Sequence, residues 1–291
     1  MRAVVVAGGK GVRLRPYTTT IPKPLVPIGN ECSIIEILLR QLARHGFTDV
    51  TLAINHLGHI IRGLVGDGSR WGVNVDYWEE ATPLGTIGPI LEHLDEMPEH
   101  FVVTNADLLC SIDLGAMYRQ HVAGGAGVTL ASHRQRSQIE YGVLHVEGNE
   151  LRDFEEKPTH EYLVNMGIYV VARESLRQFT PGEPLGFDTL ARTLLADGPR
   201  PQIFEFDGYW LDIGRPEDYD RANVEFAGVR DVLMGTNTPP LTLAPVLVGE
   251  RTIDLAAMAV DGASAEILAP AWSEDDELAA GVAAARAVEV A

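Results

Sequence analysis

Apolar residues along this chain alternate between two kinds of spacing. Ala3-Val4-Val5-Val6-Ala7 is a continuous run, which predicts a strand buried on both faces. Ile34, Ile35, Leu38, Leu39 and Leu42 instead fall on one stripe of a 3.6-residue period. That stripe predicts a helix over 33 to about 44, packed on a sheet. Ser33 and Glu36 have the spacing of a capping box at its start, and Gly46 ends it. Further strands are read at 49–55, 73–77, 101–104 and 128–131, with helices at 57–65, at 87–94 and from Asp113 to about His121. Strands alternating with helices in this way predict βαβ units and a mostly parallel α/β sheet. Beyond them, 141–146 and 164–171 read as strands. A helix with Pro216 in its first turn runs to about Phe226.

The first strand stops at Gly8-Gly9-Lys10-Gly11, where missing Cβ atoms let backbone N–H groups close around a ligand. Such a concavity favours anions, as do Arg13, Arg15 and Lys23 just downstream. Arg offers a planar fork to phosphate oxygens and Lys a mobile point charge, so the stretch is suited to a polyphosphate. It is not the dinucleotide fingerprint, because Leu14 stands where the third glycine belongs, and no Gly-Lys-Ser/Thr makes it a P-loop.

Composition narrows the partners. The chain has 291 residues, 46% of them hydrophobic, and a formal charge of −18. That charge argues against nucleic acid and anionic membranes, both of which need a basic face. The basic N-terminal residues are therefore a local anion site on an acidic protein. Cys32 and Cys110 are too far apart in sequence to suggest a zinc site, and they imply no disulfide framework. With no signal-like opening and no 18-residue apolar run, a cytoplasmic location is expected. Residues 228–291 hold ten acids against three arginines and so carry −7 of the charge. A loose hexapeptide-like coil and an alanine-rich helix over 277–290 are read there.

Gly8-Gly9-x-Gly11-x-Arg13-Leu14-x-Pro16-x-Thr18, followed by Pro22-Lys23-Pro24-Leu25, closely resembles the signature of the sugar-1-phosphate nucleotidyltransferases, or nucleotide-sugar pyrophosphorylases. Later segments match the same family in order: Pro83-Leu84-Gly85-Thr86, Asn105-Ala106-Asp107, Tyr141-Gly142, Phe154-Glu155-Glu156-Lys157-Pro158, Asn165-Met166-Gly167-Ile168-Tyr169, and Trp210 to Tyr219. Two positions depart from it. Val12 replaces the usual Thr or Ser, putting a β-branched residue in a tight loop, and Ala106 replaces a glycine.

The resemblance implies a Rossmann-like mostly parallel mixed sheet flanked by helices, of the nucleotide-diphospho-sugar transferase type, with a short C-terminal extension. It places a nucleotidyltransferase domain at 1–227, with a nucleotide-binding half over about 1–131 and a sugar-binding half over about 132–227. The acidic extension is 228–291. Ala7, Gly8, Gly9, Gly11, Pro83, Gly85 and Thr86 are implied to line the nucleotide. Glu156 and Asn165 are implied to bind sugar hydroxyls, Lys157 the sugar phosphate, and the Gly142 backbone to line the sugar pocket. Arg13, Lys23 and Lys157 become the catalytic cations, and Asp107 and Asp212 the ligands of Mg²⁺, a cation that prefers hard oxygens. Read without the family, a helix N-cap or turn acid is the minor alternative for Asp107, whereas Glu156-Lys157 would be a solvated surface pair.

The implied reaction joins an NTP and a sugar 1-phosphate into an NDP-sugar and pyrophosphate. The Pro-Leu-Gly-Thr loop resembles the mannose-1-phosphate guanylyltransferase branch, which favours GTP and a hexose 1-phosphate. Uridylyl or thymidylyl transfer to glucose 1-phosphate is the alternative. A cytidylyltransferase acting on a phosphorylated alcohol and a non-catalytic nucleotide-sugar-binding regulatory subunit are alternatives of other classes, the last suggested by Val12 and Ala106. Partners are then the NTP and the sugar 1-phosphate, with no nucleic acid and no membrane. Self-association into a homo-oligomer is left open.

Overall fold

The computed structural model describes residues 1–80, 82–236, 246–248 and 251–253. By contacts the chain divides into a unit Met1–Thr238 and a unit Pro239–Ala291. In chain order the first unit contains β1 (Arg2–Val6), β2 (Pro27–Ile28), β3 (Cys32–Ser33), α1 (Ile34–Arg44), β4 (Asp49–Ile54), α2 (Gly58–Val65), β5 (Asn74–Glu79), α3 (Gly88–Glu92) and β6 (His100–Asn105). It continues with β7 (Leu108–Cys110), α4 (Leu114–Gly124), β8 (Val128–Gln138), β9 (Val143–Glu147), β10 (Glu150–Glu155), β11 (Thr159–Ala172), α5 (Phe187–Asp197), β12 (Gln202–Phe206), β13 (Trp210–Asp212) and α6 (Pro216–Met234). What is described of the second unit is an antiparallel pair, β14 (Val246–Val248) with β15 (Arg251–Ile253). The alanine-rich helix read at 277–290 lies outside the described residues.

Seven strands form the central sheet in the order β12-β8-β11-β6-β1-β4-β5. Only β11 runs against the rest, pairing antiparallel with both β6 and β8. β1 is central, as its unbroken apolar run requires. Its side chains alternate between two cores. Ala3 and Val5 join Ile35, Leu39 and Leu42 of α1, Ile61 of α2 and Met117 of α4 on one face. Val4 joins Ile90 of α3 and Leu190 and Leu194 of α5 on the other. This is the doubly covered α/β sheet that the alternating pattern predicts.

Three local expectations change. The capping box at α1 does not form: Ser33 makes no side-chain cap, and the Glu36 carboxylate is buried and pairs with Arg40 at 2.9 Å. A glutamate desolvated inside the core needs a cation more than the helix end needs a second cap. Helix α6 continues past Phe226 to Met234, because Leu233 and Met234 are buried and hold the last turns down. The strands read at 128–131 and 164–171 extend into the long ribbon of β8 and β11, whose outer ends pair beyond the reach of β6 and β12 and are exposed.

Candidate active site

β1, β4, β5 and β6 are parallel and end on one side of the sheet, where open α/β sheets bind ligands. The glycine loop leaves β1 there. Gly11 carries the left-handed backbone (φ 59), and Thr18 Oγ1 donates to the Gly11 carbonyl at 2.7 Å, locking the loop back on itself. Val12 therefore sits in an ordinary one-turn helix, Val12–Leu14, with its side chain exposed, and pays no left-handed strain. A cavity of about 190 Å³ opens beside the loop, lined by Ala7, Gly9, Lys23, Pro24, Ala106 and Asp107 among others.

The segment 105–107 joins β6 to β7. The Ala106 amide donates to the Val6 carbonyl at 3.1 Å, and its methyl is 2% exposed within the core shared with Ala7 and Leu108. The extra Cβ is thus accommodated by packing at the edge of the cavity that Ala106 helps to line. β13 pairs antiparallel with β7, setting Asp212 opposite Leu108, and the Ile213 amide donates to the Asp107 carbonyl at 3.1 Å. This ladder brings together two acids that are far apart in sequence.

Lys23 lies between them, itself only 8% exposed. Its ammonium is 2.6 Å from Asp107 Oδ2 and 3.8 Å from Asp212 Oδ1. Partial burial raises the Asp212 carboxyl above the usual range, and the Asp107 charge adds to this. Lys23 and Arg13 pull the other way. Arg13 is exposed, and its guanidinium reaches to Gly214 beside that acid. Asp107 Oδ1 is buried without a hydrogen-bond partner. A carboxylate pair with one orphaned oxygen is a hard-oxygen donor set, which fits a divalent cation.

The remaining sequence-derived residues occupy neighbouring elements. Pro83, Gly85 and Thr86 form the loop before α3, with Gly85 at φ 80 against the Leu185 carbonyl. Gly142 precedes β9. A Cβ there would stand 2.5 Å from the Phe154 ring and 3.3 Å from Glu156 Oε2, so Gly142 and Glu156 adjoin. Lys157 is exposed between β10 and β11 with φ 46, a strained value for a residue with a side chain. Asn165 sits at an irregularity of β11, its amide donating to Tyr169 Oη at 2.7 Å while its oxygen accepts from the Gly167 amide at 3.0 Å. The Asn105 amide packs against Gly167, so β6 and β11 meet at this end. Sequence reasoning gave no role to Thr18, Asn55 or Glu80. Thr18 stands inside the motif, and its burial was the missing signal.

Residues 2–228 match the family model described as nucleotidyl transferase. The mannose-1-phosphate guanyltransferase of Schizosaccharomyces pombe is 33% identical over 229 residues, which is 75% of this chain and 62% of that protein. The protein of the same name from Yarrowia lipolytica is 32% identical over 228 residues, with the same two shares. The chain thus spans 62% of the length of these curated relatives. Among solved structures, HddC from Yersinia pseudotuberculosis complexed with GMP-PN aligns with a TM-score of 0.60 at 24% identity, covering 77% of this chain and 99% of that one. The sheet order and helical layers described above are those of this fold.

Proposed function

The chain belongs to the nucleotidyl transferase family, and from that premise we propose that it transfers a nucleotidyl group from an NTP to a sugar 1-phosphate and releases pyrophosphate. The guanyltransferase names of its relatives favour GTP and a hexose 1-phosphate such as mannose 1-phosphate. One observation carries the reading. Lys23 is held between Asp107 and Asp212 beside a glycine-lined cavity, so cation and acids face one anion site.

No protein nucleophile is required. A phosphate oxygen of the sugar 1-phosphate bonds to the α-phosphorus, and the bond from that phosphorus to the pyrophosphate oxygen breaks. The protein contributes alignment and charge neutralisation. In this reading the amides of Ala7, Gly8, Gly9 and Gly11 face the triphosphate, which Lys23 also grips. Arg13 binds the departing pyrophosphate. Pro83, Gly85 and Thr86 line base and ribose. Lys157 orients the attacking phosphate, while the Gly142 backbone, Glu156 and Asn165 bind sugar hydroxyls. Asp107 and Asp212 would hold a divalent cation, Mg²⁺ in our reading, to neutralise charge on the phosphate oxygens.

The test is pyrophosphate release from GTP, ATP, UTP, CTP and dTTP against several sugar 1-phosphates. Release with GTP and mannose 1-phosphate is expected. Asp107→Asn and Arg13→Ala should each lose roughly 10²-fold or more in kcat while circular dichroism stays unchanged. No release with any pair, or near-wild-type rates in both folded variants, refutes the assignment.

A further inference from the structure

β9 and β10 form a separate antiparallel sheet of two strands. Every residue of β10 is exposed, and so are Leu144 to Glu147 of β9. A two-stranded hairpin without a core of its own is marginal in water, so its register needs something besides burial to hold it. That register matters, because the hairpin is flanked by Gly142 and Glu156, which adjoin, and by Lys157 after them.

One face of the hairpin gathers metal-ligating groups. Asp153 stands opposite His145, and Glu155 follows Asp153 by two positions, so the three side chains share that face. A ring nitrogen of His145 and one oxygen from each carboxylate all lie within 4.8 Å of one another. His145 Nε2 is 3.2 Å from Glu155 Oε1. The Phe154 amide donates to Asp153 Oδ1 at 2.8 Å and sets the orientation of that carboxylate. The neighbouring acids already have a cation: Arg152, at the bulge between Leu151 and Asp153, reaches Glu147 at 3.0 Å and Glu150 at 2.8 Å. Among the described residues no Lys or Arg pairs with Asp153 or Glu155. Two carboxylates gathered around an imidazole that offers a lone pair when neutral repel one another until a cation joins them.

We propose that His145, Asp153 and Glu155 bind a divalent transition-metal ion of the Zn²⁺ class, which staples β9 to β10. One imidazole nitrogen with two carboxylate oxygens suits zinc and its neighbours, whereas Mg²⁺ takes oxygen ligands. At zinc–ligand distances of about 2.0–2.2 Å, two donors on a tetrahedral ion stand about 3.4 Å apart. The His145–Glu155 pair is already near that spacing. Asp153 is exposed and closes the remainder by rotating its side chain, with water in the fourth position. A staple here fixes where Gly142 and Glu156 meet. That consequence for substrate binding rests on the reading of this end as the sugar site, but the metal site itself does not.

The test uses the full chain stripped with EDTA, with neither nucleotide nor sugar phosphate present, so it stands apart from whether pyrophosphate is released. Zn²⁺ binding is measured by equilibrium dialysis on wild type, His145→Gln, Asp153→Asn and Asp107→Asn. One equivalent should be lost in His145→Gln and weakened about tenfold or more in Asp153→Asn. The same equivalent should persist in Asp107→Asn, which removes any ion held between Asp107 and Asp212. Hydrogen exchange gives the second readout. With Zn²⁺ at about 100 times its dissociation constant, the 143–155 amides of wild type should exchange up to about 100-fold more slowly. Those of His145→Gln should not change. Equal numbers of bound ions in wild type and His145→Gln overturn the proposal, as does binding that protects no hairpin amide.

Discussion

Replacing Lys23 by Met tests whether the two acids are in fact held apart by a single cation. The substitution keeps most of the side-chain volume and deletes the ammonium that stands 2.6 Å from Asp107 and 3.8 Å from Asp212. Removing one partner of a well-buried ion pair costs about 3–5 kcal/mol, since the survivor stays desolvated. Here the Asp107 side chain is 28% exposed and that of Asp212 48%, so water screens part of the loss. Roughly 2–4 kcal/mol remains. For a compact unit as long as Met1–Thr238, each kcal/mol moves Tm by about 2–4 °C, so a fall on the order of 10 °C is expected in EDTA. Saturating Mg²⁺ should recover much of it, because a cation that binds only the folded acids takes over the neutralisation. Lys23→Met with Asp107→Asn should then be less destabilised than Lys23→Met alone, with a coupling of roughly 1–3 kcal/mol. Melting within about 2 °C of wild type, or a deficit that neither Mg²⁺ nor Asp107→Asn reduces, would refute the bracketed-cation argument.

Gly85→Ala should raise KM for the nucleotide about tenfold or more, leaving the melting temperature within a few degrees. Its backbone is left-handed, and the new Cβ would stand 2.8 Å from the Leu185 carbonyl, so the 82–86 loop must shift. Steady-state kinetics at varied NTP check this, and an unchanged KM counts against that loop's contact with the nucleotide. A pH effect comes from His121, fully buried with its ring nitrogens 3.1 Å from His100 and 2.9 Å from Thr129 Oγ1. Burial, with the His100 ring second, lowers its pKa from 6.5 to about 4. The unfolded chain therefore takes up the proton first. Stability is complete above about pH 6.5 and declines toward pH 4, by about 3 kcal/mol from this residue. Urea unfolding of wild type and His121→Gln at pH 7 and 4.5 measures it, and parallel slopes in the two proteins would contradict it.

The sheet was legible because its central strands are short unbroken apolar runs, and a strand buried on both faces leaves that mark. The covering helices showed where their stripes were clean, as at Ile34–Arg44. α5 and β12 lie between the family motifs and went unread. The place of α5 depends on what it covers, since Leu190 and Leu194 reach zero exposure in the core cluster shared with β1, β6 and β11. Arg13, Lys23, Asp107 and Asp212 were readable as motif residues, and the resemblance implied that the two acids share a metal, but the seat of Lys23 between them was not readable. That geometry depends on β13 returning to pair with β7, a contact that no local pattern encodes. Glu80 was invisible too. No local pattern marks it, and only tertiary burial of one carboxylate oxygen sets it apart.

Three residue pairs, Leu108–Cys110 against Trp210–Asp212, clasp the second acid to the first. The clasp is fastened from behind by Gln41, whose buried amide donates at once to the Cys110 carbonyl and to the Leu233 carbonyl at the far end of α6. So short a ladder frays at far lower cost than the seven-stranded sheet melts. With α6 lifted, the molecule would keep its spectrum and its main core yet present a single carboxylate to its anion cavity. Competence here is therefore a property of α6 as much as of the loop after β1.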